Sequence, residues 1–171
     1  MTSEQELAAQ AAAGDVAAFT ALVRAHEAAV RRFLDRLTRG EGGDDIAQDV
    51  FLRAWRSAAA FRGDGSYRGW LLRIAWTEFL ASRRAAGRRA ARDQAAFELE
   101  RAPQHDAEAA LDLARALGGL DERERAAASL CFGEGCSHSE AAEIMALPLG
   151  TLKSILARAR TALASRLEMA R

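Results

Sequence analysis

The chain has 171 residues, half of them hydrophobic, and its 24 basic and 24 acidic side chains give no formal net charge. A balanced charge argues against a free-standing, high-affinity nucleic-acid binder, although a basic face can still lie opposite an acidic one. No apolar run approaches the ~20 residues of a membrane span, and the N-terminus lacks the order of a secretion signal. These features predict a cytoplasmic protein without membrane insertion, built as one domain or two small ones.

Polar caps and apolar spacing predict an all-α protein. Ser3 and Glu6 have the spacing of a capping box, and Asp15 stands where it would cap a second, long helix. Apolar residues then recur at steps of three and four, which predicts one buried stripe. The opposite face is either solvated or a DNA contact, and it carries Arg24, Arg31, Arg32, Arg36 and Arg39.

Aromatic residues are concentrated in one stretch of the chain. All three Trp, the only Tyr and three of the seven Phe lie between Phe51 and Phe79. An acid-free run with five arginines follows from Arg83 to Arg92. Clustered arginine neutralises phosphates, and aromatic rings stack unpaired bases. The stretch therefore favours nucleic-acid recognition.

A glycine-rich turn at residues 40–43 precedes a helix that Asp44 or Asp45 is expected to cap. An outward Leu among acids suits a protein partner, whereas acids near a helix N-terminus also interact favourably with the helix dipole. Spacing alone leaves both interpretations open. That outward stripe carries Asp45, Gln48, Asp49, Leu52 and Arg56.

A break at Phe61–Ser66 separates that helix from the next, which Ser66 is expected to cap. The break is either a loop that holds a base or a plain interhelical turn. Trp76 is either a base-stacking residue or a buried interface residue. The helical stripe along which DNA could run carries Arg73, Trp76, Thr77, Leu80 and Arg84.

The C-terminal part predicts a helix-turn-helix. Residues 93–107 alternate in charge and are expected to form a flexible linker between domains 1–92 and 108–171. A helix containing Leu117 and two short helices with capping boxes are expected next, and a longer helix from Thr151 to about Leu167 follows them. A short helix, a tight turn and a longer basic helix make a helix-turn-helix, whose second helix enters the major groove.

Cys131, Cys136 and His138 lie close together in sequence and suggest a possible metal site. Zinc requires four ligands, usually with a second close pair, and only three are local here. We therefore expect packed thiols, with no metal and no cofactor. A reducing cytosol also disfavours a disulfide.

Two segments resemble region 2 of bacterial extracytoplasmic-function (ECF) sigma factors. Asp44–Trp55 reads DDIAQDVFLRAW, and Phe61–Ala75 reads FRGDGSYRGWLLRIA. The resemblance implies binding to the β′ clamp helices of core RNA polymerase through Asp45, Gln48, Asp49 and Leu52. It also implies that the promoter −10 element is opened by Phe61, Arg62, Asp64, Tyr67, Arg73, Trp76, Thr77 and Arg84. Thr77 and Ala81 replace an Asn and an Asp of many members, so the resemblance does not imply the −10 preference.

The segment Ser137–Leu163 resembles region 4 of the same sigma factors, which reads the −35 element. By this resemblance the DNA contacts are Thr151, Lys153, Ser154 and Arg158. Leu149 stands where many members have Glu, and Ile155 stands where many have Arg. The −35 preference is therefore not implied either.

The resemblance covers nearly the whole chain and implies a sigma factor with two small all-α domains and no catalysis of its own. Its implied partners are core RNA polymerase, including the β flap, promoter DNA and an anti-sigma factor in a stress or envelope response. The first alternative is a stand-alone helix-turn-helix regulator, which would bind duplex DNA tightly without polymerase, usually as a dimer. The second alternative is an adaptor that binds only proteins, and it leaves the aromatic–arginine stretch without a role.

Overall fold

The computed structural model describes residues 3–93 and 119–169, and within these ranges it contains helices but no strand. The N-terminal group comprises α1 (Glu4–Ala12), α2 (Val16–Thr38), α3 (Gly43–Arg56) and α4 (Tyr67–Asp93). The C-terminal group comprises α5 (Glu122–Ala128), α6 (His138–Met145) and α7 (Leu149–Met169). The predicted all-α class is therefore confirmed. None of the described helices is long and apolar enough to cross a membrane.

The expected linker at 93–107 lies outside the described residues, apart from Asp93 at the end of α4. The helix expected to contain Leu117 lies outside them as well.

Local hydrogen bonds confirm most of the predicted helix starts. The Ser3 hydroxyl accepts from the Glu6 N–H, and the Glu6 carboxylate accepts from the Ser3 N–H. Asp15 accepts from two N–H groups of the first turn of α2, and Ser66 accepts from the N–H of Gly69 at the start of α4. The other two capping boxes form at Asp121–Glu124 and Ser137–Glu140.

The predicted cap of α3, by Asp44 or Asp45, is wrong. The helix begins at Gly43 after Gly42, whose φ is 76°, and no side chain caps it. Gly43 is buried against α2, and a Cβ there would lie 3.2 Å from the Thr38 hydroxyl oxygen. The missing side chain lets α3 approach α2 closely, which sets the orientation of the α3 outer face.

Buried apolar residues from both groups form one continuous core. It includes Phe33, Leu34 and Leu71 from the N-terminal group and Leu130 and Leu152 from the C-terminal group, all fully buried. The two groups meet because α4 packs against α6 and α2 packs against α5. Sequence periodicity predicts the apolar faces but not this docking of one group on the other.

The helix predicted through Phe132 changes its pitch before it ends. The α-helical part, α5, stops at Ala128, and a π-helical turn follows over Ser129–Gly133. The N–H of Glu134 donates to the Ser129 carbonyl oxygen at 2.9 Å and closes that turn. The turn directs Glu134 towards α2, where its carboxylate is bound.

Candidate polymerase and nucleic-acid interfaces

The outer face of α3 is exposed and acidic. Asp45, Gln48 and Asp49 are all exposed on it. Leu52 on the same stripe is 51% exposed, which is high for a large apolar side chain. An exposed Leu beside two carboxylates provides apolar area and negative charge together, as a protein-binding surface does. The structure thus brings together the four residues predicted to bind the polymerase.

The loop before α4 carries two charged side chains above a cluster of packed aromatic rings. Arg62 and Asp64 are exposed at its tip. Phe61 packs against Tyr67 and Trp70, with ring centroids 5.0 and 5.6 Å apart. These ring contacts hold the two ends of the loop together, and they form the packed base on which the exposed tip of the loop lies.

Tyr67 lies inside this aromatic base rather than on the surface. It is 1% exposed, and its hydroxyl oxygen has no hydrogen-bond partner among the described residues. Burial, with a smaller effect from the Glu4 charge, raises the pKa of the Tyr67 hydroxyl to about 12. In this arrangement Tyr67 supports the loop, and its predicted contact with DNA would require the side chain to move outward.

The predicted −10 stripe of α4 is only partly accessible. Arg73 and Arg84 are exposed, whereas Trp76 is 5% exposed and stacks on Phe79 with a centroid distance of 5.8 Å. The Thr77 hydroxyl is half-buried and donates to the Arg73 carbonyl oxygen at 2.9 Å. Trp76 and Thr77 therefore stay predictions as DNA contacts, since neither is free to meet a base in this arrangement.

The C-terminal group lies beside that stripe. An open cleft of about 460 Å³ separates Arg73 from α6 and the turn before α7, and Ser139, Glu143 and Leu147 line it. Further along α4, Arg83 forms an ion pair with Glu122 of α5. The surface that would run along promoter DNA thus faces the first helix of the helix-turn-helix.

The predicted −35 surface forms the outer face of α7. Ala146 adopts a left-handed φ of 53° that ends α6, and α7 begins three residues later. The inner face packs through Leu152, Ile155, Leu156 and Ala159, all buried. The four predicted DNA contacts, all exposed, are Thr151, Lys153, Ser154 and Arg158.

Two of those four side chains already hold internal hydrogen bonds. The Ser154 hydroxyl donates to the Gly150 carbonyl oxygen at 3.0 Å. Arg158 donates from Nε to a carboxylate oxygen of Glu124 on α5 at 3.1 Å. Lys153 and Thr151 are therefore the more available of the four for DNA.

Sequence reasoning missed an ion cluster between the two groups. The side chain of Glu134 is fully buried, and its carboxylate accepts from Arg32 at 2.9 Å and from Arg36 at 2.8 Å. The carbonyl oxygen of Glu134 accepts from Arg68 at 3.0 Å. The hydrogen bond and charge of Glu134 raise the pKa of Arg32. The sequence offers no signal for this cluster, because a Glu between two glycines is typical of a solvated turn.

Cys131 and Cys136 are free thiols, the first partly buried and the second buried. Burial raises the pKa of both, and that of Cys136 reaches about 11. Among the described residues no three His, Cys, Asp or Glu side chains gather as metal ligands.

The protein thus combines two groups of helices. The first group carries an exposed acidic face, and the second contains a helix-turn-helix. Family models agree region by region: sigma-70 region 2 matches residues 22–89, and sigma-70 region 4 matches residues 110–163. The chain therefore belongs to the sigma-70 family of RNA polymerase sigma factors, among its extracytoplasmic-function members.

Individual relatives agree with this assignment. ECF sigma factor SigM of Mycobacterium tuberculosis is 37% identical over 166 residues, which cover 95% of this chain and 83% of SigM. ECF sigma factor SigE of Mycolicibacterium smegmatis is 35% identical over 163 residues, which cover 87% of this chain but only 62% of SigE. A solved complex of the sigma factor RpoE with the anti-sigma factor NepR, from Bartonella quintana, matches with a TM-score of 0.78. Its sequence identity is 28%, and the match covers 90% of this chain and 98% of RpoE.

Proposed function

We propose that the chain binds core RNA polymerase in the cytoplasm, directs it to specific promoters and performs no catalysis of its own. The observation that supports this most directly is the exposure, on one chain, of both the acidic α3 face and the first turns of α7. The absence of a formal net charge adds support, because such a chain would read promoters mainly as part of the holoenzyme.

The α3 face is the proposed contact with the β′ clamp helices. Its two carboxylates, Asp45 and Asp49, would contact basic side chains of the polymerase. Leu52 would enter an apolar recess between those basic side chains. An apolar anchor surrounded by charged groups combines affinity with orientation. The C-terminal domain, residues 108–171, would contact the β flap.

The DNA contacts are divided between the two domains. In domain 1–92 the proposed −10 surface runs from the loop tip at Arg62 and Asp64 along α4. In domain 108–171 the outer face of α7 would lie in the major groove at −35, with Lys153 as the most available charge. The linker 93–107 would set the separation between the two surfaces.

An anti-sigma factor is the further proposed partner. The related sigma factor RpoE of Bartonella quintana has been solved in complex with the anti-sigma factor NepR. We infer that this chain, too, is held inactive by a protein partner until a stress or envelope signal arrives.

A reconstitution with purified bacterial core polymerase tests the proposal. The full chain would be assayed for binding to core and for transcription from a pool of genomic promoter fragments, with core alone as the control. We expect core binding and initiation at a small set of start sites, which would also identify both promoter elements. Tight binding of the free chain to duplex DNA, without binding to core, would overturn the proposal in favour of a stand-alone regulator.

A further inference from the structure

The loop before α4, residues 61–66, is held at both ends by the N-terminal helix α1. At its start, the short 3-10 helix Ala58–Ala60 packs against α1. At its end, the N–H of Tyr67, the first residue of α4, donates to Oε1 of Glu4 at 3.1 Å. The first turn of α1 thus contacts the point where the loop becomes a helix, although 63 positions of sequence separate the two residues.

The second oxygen of the same carboxylate fixes the direction of the Glu4 side chain. Oε2 of Glu4 lies 2.8 Å from Nε2 of His26 on α2. The His26 ring in turn lies beside the Tyr67 ring, with centroids 5.9 Å apart. Glu4 therefore connects α2 and α4, with one carboxylate oxygen directed to each. These three residues, Glu4, His26 and Tyr67, form the Glu4 bridge.

The Glu4 bridge completes the start of α4. The first N–H groups of an α-helix have no partner within the helix. Ser66 accepts from the N–H of Gly69, and Glu4 accepts from the N–H of Tyr67. A carboxylate at this end of a helix also interacts favourably with the helix dipole. Glu4 therefore fixes the position of the first α4 residue, although it belongs to another helix.

The tip of the loop depends on the two ends of the loop for its position. Residues 61–66 belong to no helix, and Gly63 and Gly65 have left-handed φ values of 78° and 90°. Glycine restricts the backbone less than any other residue, so such a tip can adopt several arrangements. The ends limit these arrangements, because Phe61 packs on the Tyr67 ring with centroids 5.0 Å apart and Tyr67 is itself bound to Glu4.

A loop that takes up a base from a melted strand benefits from this restriction. Extruding a base costs a few kcal/mol, which contacts within the site have to offset. If the loop is in the receptive arrangement for only part of the time, the apparent affinity for the strand falls by the same fraction. A contact that favours the receptive arrangement therefore promotes melting without touching DNA.

We propose that Glu4 is a positioning residue for promoter opening, which holds the −10 loop in its receptive arrangement through Tyr67. The helix α1 then takes part in melting, although none of its residues is among the predicted contacts with DNA or polymerase. This role rests on the proposed function, because the loop takes up a melted strand only if the chain is a sigma factor at a promoter.

Promoter opening by the reconstituted holoenzyme tests this role. Full-length Glu4→Ala would be assembled with core polymerase on a promoter that the unchanged chain opens, and permanganate would report the unpaired thymines around −10. The measured quantity is the ratio of opened to closed promoter among bound complexes, which a smaller yield of folded chain leaves unchanged. We expect this ratio to fall about tenfold if the receptive arrangement drops to about a tenth of the loops, while affinity for core stays the same. An unchanged ratio would overturn the role.

Two further variants separate the Glu4 contact from other effects in α1. Glu4→Gln keeps the side-chain length, so its amide oxygen can accept from the Tyr67 N–H and its amide group can donate to Nε2 of His26. We expect a loss of only about threefold, because a neutral hydrogen bond keeps part of the stabilisation. Gln5→Ala changes the next residue of α1, which is exposed and lies outside the Glu4 bridge, and should have no effect. A Glu4→Gln chain as defective as Glu4→Ala would overturn positioning by this hydrogen bond.

Amide hydrogen exchange of the free chain tests the contact without polymerase. The Tyr67 N–H should exchange about tenfold faster in Glu4→Ala than in the unchanged chain, because it loses its acceptor. The N–H of Leu71, inside α4 and fully buried, should keep its rate. Equal rates for Tyr67 in the two chains would overturn the contact.

A shorter acidic side chain guards against simple misfolding. If circular dichroism shows that Glu4→Ala loses helix, Glu4→Asp is tested in its place, because it keeps a carboxylate but withdraws it from the Tyr67 N–H by one methylene. The same fall in promoter opening is expected, and an unchanged ratio would overturn the role. Failure of the unchanged chain to initiate with core polymerase would overturn the proposed function and the role in opening with it. Normal opening by both Glu4→Ala and the unchanged chain would overturn the positioning role alone.

Discussion

The guanidinium of Arg125 donates to the carbonyl oxygen of Leu37, at 3.1 Å, from one helical group to the other. The same side chain also donates to the carbonyl oxygen of Leu120 at 2.8 Å. Arg125 is buried, and this burial lowers its pKa, with a further lowering by the charge of Arg39. A buried cation that satisfies two carbonyls on different segments joins the end of α2 to the start of α5.

Arg125→Ala is expected to lower the free energy of unfolding by about 1–3 kcal/mol, because it leaves buried carbonyl groups without their donor. Urea denaturation followed by circular dichroism measures the change. Arg123→Ala on the same helix is the control, since Arg123 is exposed and such changes usually stay within about 0.5 kcal/mol. Equal losses for the two variants would mean that the Arg125 hydrogen bonds contribute nothing specific.

The parts of the fold that depend on contacts between residues close together in the sequence could be predicted. Ser3, Asp121 and Ser137 each cap a helix by bonding to residues three positions away, so the pattern and the interaction lie in the same short segment. The start of α3 could not be predicted, because it depends on a backbone conformation at Gly42 and on close packing of Gly43 against α2.

The docking of the two groups depends on residues far apart in the chain. Arg36 and Glu134 are 98 positions apart, and no periodicity links them. Some residues of the candidate site could likewise be predicted from the sequence, and others could not. The outward faces of α3 and α7 follow from helical spacing, and the residues predicted there are exposed. The burial of Tyr67 and Trp76 could not be predicted, because an aromatic residue fits a core and a base-stacking surface equally well.

Tyr67→Phe is expected to raise the free energy of unfolding by about 1 kcal/mol. The change keeps the ring contacts with Phe61 and Trp70 and removes a buried hydroxyl that has no partner among the described residues. Urea denaturation at pH 7 measures it, and Tyr67→Ala, which also removes the ring, should cost about 3–5 kcal/mol. A destabilised Tyr67→Phe chain would mean that the hydroxyl has a partner such as a bound water.

Stability should fall with rising pH above about 9. The pKa of Cys136 is raised from 9.0 to about 11, and that of Tyr67 from 10.0 to about 12, both mainly by burial. The unfolded chain therefore loses these protons first. Their contribution to stability is complete below the unfolded pKa values and is lost as pH rises through the folded ones.

Cys136→Ala separates the thiol from other alkaline effects. Urea denaturation between pH 7 and pH 11 should show a shallower loss of stability for this variant than for the unchanged chain, because it lacks a group that loses its proton at lower pH in the unfolded chain than in the folded one. Parallel curves would indicate that the Cys136 thiol has nearly the same pKa in the folded and unfolded chain.

Asp49→Arg should weaken binding to core polymerase at least tenfold, or about 1.4 kcal/mol. It reverses one charge at the centre of the exposed α3 face without disturbing a buried contact. A titration of labelled chain with core polymerase measures the affinity. Asp35→Arg makes the same charge reversal at an exposed position of α2, outside the predicted stripe of α3, and should leave the affinity unchanged. If both variants bind equally well, α3 is not the polymerase contact.

Lys153→Ala should weaken promoter binding of the holoenzyme and reduce its salt dependence. Lys153 is the only lysine of the chain and lies exposed near the start of α7. Losing one phosphate contact lowers the slope of log affinity against log salt by ~0.9. Equilibrium binding to a promoter fragment over a series of salt concentrations measures this slope. Lys153→Arg keeps the charge and should keep the slope. A weaker complex with an unchanged slope would assign Lys153 to a base edge instead, and unchanged affinity would remove it from the interface.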